Sequence, residues 1–438
     1  MSEKLPSLRL GLDAFPSPME DRPGLLLRDP YRFSEAVIVV PPLLAHGLQF
    51  YDGEHHAEDL SAHLEELISQ PVPAEVIAQM TAALSQAGFL EDATFAAQRD
   101  ARIEAWRQSA ERLPVHAGSG YSDSPMHLRE RLDQILAQSE PEAGSSGPAR
   151  SKLILLDDFD DPAPRSPEPD RSPLVGIAAP HVSPEGGIRS YSTAYARLRA
   201  SRQSDPDPLE RVYVLLGTSH YGEPERFGLT RKSYQTPLGA LRTETEMVDF
   251  LEREGGAAVA MEDYCHSIEH SIEFQAVFLR HVLGAEARIL PILCGSFGRC
   301  LVERTTPESA EPVRRFLGAL SELAAREGSR LCWILGVDLA HIGVRYGDGY
   351  PVTAGAGPMS WIEERDRERL ARIAEGNRQA FFELAMPDGD DLKWCGLSAL
   401  YTFLHVMPEA RGKLLRYDQW NIDPQSVVSM AAMEFGRG

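Results

Sequence analysis

Three histidines stand where apolar runs end. His181 closes LVGIAAPH, His220 closes VYVLLGTSH, and His341 closes LCWILGVDLAH. Imidazoles are the commonest protein ligands for iron, zinc and copper. One histidine at a strand end is usually a hydrogen-bonding residue and nothing more; three at equivalent positions point to a shared site. Asp338 lies three residues before His341. A carboxylate there either orients the imidazole and takes its proton, or caps the following turn. Cys395, in KWCGLSAL, precedes a predicted helix. A helix N-terminus favours thiolate, yet from spacing alone Cys395 reads as a small buried hydrophobe, as do Cys294, Cys300 and Cys332.

The segment CHSIEHSIEF is a second concentration of chemistry. On a continuous helix His266 and His270 share one face, and Glu269 and Glu273 another. The order is not HExxH, so the zinc-protease arrangement is excluded. The His266/His270 pair could bind a metal, but the preferred reading places Glu269 and His270 behind the ligands, hydrogen-bonding into the pocket. Tyr234, Thr236 and Pro237 (YQTPLG) read as a loop over the pocket or as an ordinary turn. No GxxxxGK[ST] loop, GxGxxG fingerprint, GxSxG elbow or iron–sulfur cysteine run is present.

These residues need strands to bring them together. From Leu174 onward, strands are predicted at Leu174–Ala179, Val212–Gly217, Arg288–Leu293, Leu331–Val337 and Val427–Phe435. Helices are predicted at Ser190–Ala200, Glu244–Gly255, Ile268–Leu283, Pro312–Glu327, Arg367–Leu384 and Leu397–Met407. This alternation implies an α/β domain with a mainly parallel or mixed sheet covered on both faces. Parallel strands would bring His181, His220 and His341 to one edge, where ligands bind in open α/β sheets.

The chain before this domain has a different character. Residues 1–108 read as a small domain with a strand over Phe33–Pro41, a turn at Tyr51-Asp52-Gly53 and two helices. The helices carry the stripes Leu60, Leu64, Leu67, Ile68 and Val76, Met80, Leu84, and Gly88 suits the position just past the second. Residues 109–173 are rich in Ser, Gly, Pro and acidic residues. They read as a flexible linker with one apolar island, Lys152–Leu156.

The 438 residues carry 44 basic and 65 acidic side chains, a net charge of −21 that argues against a general nucleic-acid binder or an anionic-membrane binder. The N-terminus lacks the pattern of a secretory signal, and no run approaches the roughly 20 apolar residues of a membrane span. The expected location is the cytoplasm, with all five cysteines reduced.

APH181, LLGTSH220, YQTPLG239, EHSIEFQ, ILPILCG295, GVDLAH341, WCG396 and the tail YDQW…SVVSMAAMEF occur in this order. The set resembles the Memo family, whose bacterial members are often labelled protein B of the AmmeMemoRadiSam system. The resemblance runs from Leu174 to Phe435 and implies a fold like that of class III extradiol dioxygenases. It implies a metal site of two histidines and a cysteine, matching His181, His220 and Cys395. It also implies an acid/base histidine at His341, with Asp338 as the neighbouring acid. A thiolate ligand favours softer ions, so the implied cofactor is iron(II) or copper. Two departures stand out: HVSPEGG replaces a family run near HAGYxxSG, and Val337 and Ala340 replace small polar residues around Asp338. LLLRDPYRF, FYDGEHHAEDL and AGFLED resemble a PqqD-like winged-helix domain, of a kind that presents peptides to radical enzymes.

Three functions are therefore expected candidates. The first is a metal-binding Memo-like protein with redox or oxygenase-related chemistry, with a radical-SAM enzyme or a peptide as partner. The second is a ring-cleaving extradiol-type dioxygenase, against which the cysteine ligand counts. The third is a non-catalytic peptide- or protein-binding module.

Overall fold

The computed structural model describes residues 4–138, 174–203 and 210–438. The expected apolar island Lys152–Leu156 lies outside these residues. The chain divides into two units, Met1–Ser109 and Ala110–Gly438.

The first unit opens with a three-stranded antiparallel sheet, β1 (Asp13–Pro16), β2 (Leu25–Arg28) and β3 (Val37–Val40). The short α1 (Pro42–Ala45) precedes α2 (Ala57–Ile68), α3 (Ala74–Gln86) and α4 (Ala93–Gln108). Leu60 and Leu64, one helical turn apart, join Ile77, Met80, Leu84 and Phe89 in one core. Leu67 and Ile68, expected on that face, remain exposed. Gly88 takes a left-handed φ of 69° just past α3, as the sequence suggests.

The second unit begins earlier than expected. Residues 110–138 have the composition of a linker, but they form β4 (Glu111–Arg112), a loop and α5 (Pro125–Ala137). Leu128, Leu132, Ile135 and Leu136 recur at helical spacing and are buried together with Ile177, Tyr195 and Phe278. The Ser- and Gly-rich composition of the neighbouring loop conceals this apolar stripe.

Then follow β5 (Leu174–Ala179), α6 (Ile188–Gln203), β6 (Val212–Thr218), β7 (Phe227–Leu229), β8 (Ser233–Tyr234) and β9 (Arg242–Thr243). Next come α7 (Thr245–Gly255), β10 (Val259–Met261), α8 (His270–Leu283), β11 (Arg288–Cys294), α9 (Gly298–Glu303) and α10 (Glu311–Glu327). The chain ends with β12 (Leu331–Gly336), β13 (His341–Gly343), α11 (Pro358–Ala374), α12 (Arg378–Glu383), α13 (Leu397–Val406) and the hairpin β14 (Ala410–Asp423)–β15 (Ser426–Arg437).

The main sheet runs β10-β7-β11-β6-β12-β5-β15-β13, with β14 added beside β15 and β9 beside β11. Strands β11, β6, β12 and β5 are parallel neighbours, and β15 closes against β5 antiparallel. Strand β6 is buried throughout because the sheet is covered on both faces. Val212, Val214 and Leu216 enter one core, whereas Tyr213 and Leu215 enter the other. Among the described residues no helix is long and apolar enough to cross a membrane.

Candidate metal centre

The strand register levels the histidines. Gly336 of β12 pairs with Gly217 of β6 and with Ala179 of β5, so the three strands end side by side. Two residues beyond β5 comes His181, two beyond β6 comes His220, and Asp338 follows β12 at the same edge. The first turn of α8 packs onto these ends. A Cβ at Gly336 would lie 2.4 Å from the Ser271 carbonyl oxygen, so only glycine permits the approach. Ser271 Oγ donates to the Thr218 carbonyl (2.7 Å), and Gln275 Nε2 to that of Pro180 (2.7 Å).

Each histidine has its Nδ1 fixed. His181 Nδ1 donates to the Gly336 carbonyl at 2.9 Å, and His220 Nδ1 to Glu269 Oε2 at 2.9 Å. Glu269 Oε1 also accepts the His220 backbone N–H. Both rings therefore carry their N–H on Nδ1 and present Nε2 as a lone pair, as ligating histidines do. Cys395 Sγ lies 3.1 Å from His181 Nε2 and 3.6 Å from the Asp338 carbonyl oxygen. Thr218 Oγ1 donates to the Cys395 carbonyl, tying that loop to the end of β6. Among the described residues, two sets of ligand-type atoms lie within 4.8 Å of one another: His181, His220, His270, and His181, Asp338, Cys395. Bonds of roughly 2.0–2.3 Å at tetrahedral angles put ligand atoms about 3.5 Å apart, so these donor sets fit an ion.

The electrostatics favour neutral imidazoles at most positions. Burial lowers His181, lowers His270 well below the ordinary range, and brings His341 down to about 4. For His220 burial is outweighed by the Glu269 carboxylate, and its pKa rises. Burial, reinforced by Asp338, raises the Cys395 thiol well above its ordinary value. The expected helix effect on Cys395 thus loses to desolvation when no cation is present. A bound cation reverses that balance, because a coordinating thiol is deprotonated.

Several expected roles change. Asp338 turns toward His181 rather than His341: its Oδ1 accepts the His181 backbone N–H at 2.8 Å. His341 is held instead by backbone, its Nδ1 donating to the carbonyls of Leu339 (2.9 Å) and Lys393 (3.1 Å). His266 does not share a face with His270. Glu269 is extended (φ −70°, ψ 137°), so α8 starts only at His270, and His266 sits in a preceding 3-10 turn. Both its nitrogens are engaged, by Tyr234 Oη (2.6 Å) and the Gly228 carbonyl (3.0 Å). Tyr234 is consequently buried beside that turn rather than spread over the pocket.

Sequence reasoning missed two sets of residues. The first is Arg112, His116 and Tyr121, from the supposed linker. Fully buried Arg112 donates to the carbonyls of His266 and Glu269 (2.8 Å each) and pairs with Glu273, fixing the turn that carries Glu269 and His270. His116 and Tyr121 complete the shell of Glu273, whose pKa falls to about 2 because Arg112 and these donors outweigh its burial. His116 also stands edge-on to His270, with centroids 5.7 Å apart. The second is Tyr346, whose ring stands edge-on to His341 at 4.9 Å. It packs in a cluster with Val182 and Trp420, supplying an aromatic wall where HVSPEGG has none. Beside the centre, an open cleft of about 370 Å³ is lined by Ser219, His220, Phe297, Lys393, Trp394 and Cys395, among others.

A family model described as Memo-like protein matches residues 112–434. The chain belongs to the Memo-like family. The match starts at Arg112, in agreement with the unit boundary at Ala110 and earlier than the resemblance from Leu174 suggested. A MEMO1 family protein of Aquifex aeolicus is 25% identical over 414 residues, covering 94% of this chain and 95% of the relative. That alignment takes in the N-terminal unit, which is therefore not peculiar to this chain. A MEMO1 family protein of Thermus thermophilus is 28% identical over 66% of this chain and 77% of its own length. One from Thermococcus kodakarensis is 30% identical over 55% of this chain and 78% of its own.

Proposed function

We propose that this Memo-like protein is a metal-dependent redox protein whose ion is held by His181, His220 and Cys395. The observation that carries this reading is the state of the ring nitrogens. Both histidines have Nδ1 committed to acceptors, and His181 Nε2 lies 3.1 Å from the Cys395 sulfur. Iron(II) or copper suits this mixture of imidazole and thiolate, and when bound supplies one-electron and oxygen chemistry.

The protein's own residues then orient and move protons. His341 has its N–H on Nδ1 and a lone pair on Nε2, and with a pKa near 4 it is neutral at neutral pH. It is thus an acceptor for a substrate proton rather than a donor. Asp338 holds His181 through the backbone N–H and contributes negative charge that favours a cation. The adjoining cleft, with Phe297, Trp394 and several hydroxyls on its walls, suits a small organic substrate rather than a macromolecule. That favours catalysis over a peptide-binding role, with a radical-SAM enzyme as the partner carried over from the family resemblance.

The test is elemental mass spectrometry on protein purified without oxygen, beside His181→Ala, His220→Ala and Cys395→Ala. Near-stoichiometric iron or copper in wild type, lost in both histidine variants and, for copper, in Cys395→Ala as well, is the expected result. Wild type that stays metal-free after anaerobic reconstitution would leave a binding module as the better reading. His341→Ala separates the roles further: it should keep the ion and abolish turnover.

A further inference from the structure

We propose that His270 is itself a metal ligand, and that the pocket offers one ion two overlapping seats. One is nitrogen-only, from His181, His220 and His270; the other is the set of His181, His220 and Cys395 proposed above, with Asp338 beside His181 and Cys395. The proposal rests on the reading of this pocket as a metal site and adds a ligand to it.

The geometry of the three rings carries the argument. The centroids of His220 and His270 are 4.8 Å apart with planes inclined by 14°. His181 stands nearly perpendicular to both, at 5.0 Å from His220 and 5.2 Å from His270. The three rings thus surround one point, and one nitrogen of each lies within 4.8 Å of the others. Among the described residues the His270 ring makes no hydrogen bond. Its closest carboxylate oxygen, Glu269 Oε2, is 3.9 Å from Nδ1, beyond hydrogen-bonding range and already engaged by His220. The ring's other neighbours are His116 and Phe274, whose rings stand at 5.7 Å and 5.6 Å. The His270 side chain is 27% accessible, and with no protein acceptor or donor opposite its nitrogens it is open to an ion. A cation suits a cluster in which only nitrogen lone pairs converge.

His181 belongs to both sets but has only Nε2 to give, because Nδ1 is spent on the Gly336 carbonyl. Two ions therefore cannot share it, and the seats are mutually exclusive. Softness decides between them: divalent ions such as iron(II) or cobalt(II) suit the nitrogen seat, whereas cuprous copper selects the thiolate. The seat taken thus depends on the metal and its charge.

The experiment uses the full chain, anaerobically loaded with cobalt(II) or with cuprous ion. Affinity is read by chelator competition, and sulfur ligation by the thiolate-to-cobalt charge-transfer band and by X-ray absorption for copper. Wild type should bind cobalt(II) without the thiolate band and copper with a sulfur neighbour. His270→Ala should weaken cobalt(II) by about tenfold or more and leave cuprous ion nearly unchanged; Cys395→Ser should do the reverse. His270→Gln, closer in size, repeats the measurement if the alanine variant does not fold. A thiolate band in wild type, together with unaltered cobalt(II) affinity in the His270 variants, would overturn the nitrogen seat alone. If wild type binds neither ion, the metal reading itself falls and both seats fall with it.

Discussion

The two sides of the pocket are built in different ways. His181 and His220 reach it from the ends of parallel strands whose register is set by continuous backbone hydrogen bonds. Cys395 reaches it from a loop in which Asp388, Asp390 and Lys393 all have φ between 54° and 66°. Such conformations cost of order 1–3 kcal/mol each and persist only where the surroundings over-determine them. Here α11 does so with successive side chains. Arg365 forks onto Asp391, Arg369 pairs with Asp390, and Asp366 accepts the Trp394 indole N–H at 2.7 Å. A Cβ at Gly396 would sit 2.5 Å from Val337, so the loop also closes tightly on the end of β12. The histidine side is a consequence of sheet pairing, while the cysteine side is a strained loop strapped down from a distant helix.

The largest expected effect tests the histidine side. Arg112 is the brace of the Glu269–His270 turn and shares a buried ion pair with Glu273. Removing one partner leaves a buried charge uncompensated, so Arg112→Ala should cost about 3–5 kcal/mol in urea denaturation. Loss of metal affinity should accompany it. A cost below about 1 kcal/mol would mean that the β4 segment merely lies against the domain, as a linker would.

That difference explains how much is legible in the sequence. Apolar runs ending in histidine are a local pattern, so the strands and their shared edge can be recognised from the residues alone. The same holds for Gly88 beyond α3 and for Leu60 and Leu64 on α2, though not for Leu67 and Ile68 at the end of that stripe. Ties between remote residues leave no local pattern. Nothing in ERLPVH announces that Arg112 will be buried under His266, and nothing around Asp366 announces Trp394. Strand β14 is hidden for another reason: it is only partly buried, so its charged residues mask the strand pattern. The helix expected over Arg367–Leu384 breaks in two because Gly376 turns left-handed at φ 69°.

A second, smaller effect tests the packing of α8. Gly336→Ala drives a Cβ into backbone rather than a yielding side chain. It should destabilise by about 1–3 kcal/mol and loosen His181, whose Nδ1 partner is the Gly336 carbonyl. Equal stability with unchanged metal affinity would show that the helix can withdraw without disturbing the ligands.

The cysteine side has a pH signature at Asp366. Burial pushes its carboxyl up to about 6 from an ordinary 3.8, against the pull of donors Ser429, Tyr417 and Trp394. The folded protein therefore holds this proton more tightly than the unfolded chain. The stability so gained is complete below the unfolded value and is lost as pH rises through about 6. Asp366→Asn cannot titrate. Between about pH 7 and pH 4, wild type should gain roughly 2–3 kcal/mol relative to this variant. A constant difference across that range would mean that the carboxylate stays ionised and that Arg369 rather than burial governs it.

The smallest effect sharpens the comparison by asking which strap matters. Lys393, whose carbonyl accepts from His341 Nδ1, is tethered by its ammonium to Asp348 at 2.8 Å. That pair is partly solvent-exposed, with side chains 36% and 19% accessible. Asp348→Asn should therefore cost no more than about 1 kcal/mol, and less as salt is raised. Its second contact is less dispensable: Asp348 Oδ2 also accepts the Gly343 backbone N–H at 2.8 Å, just beyond His341. The amide can keep that bond through its own oxygen, whereas Asp348→Ala cannot. If Asn is benign and Ala is not, the backbone contact rather than the ion pair holds the His341 strand against the Cys395 loop. If both are equally costly, charge matters here, and the loop depends on electrostatics even at its exposed end.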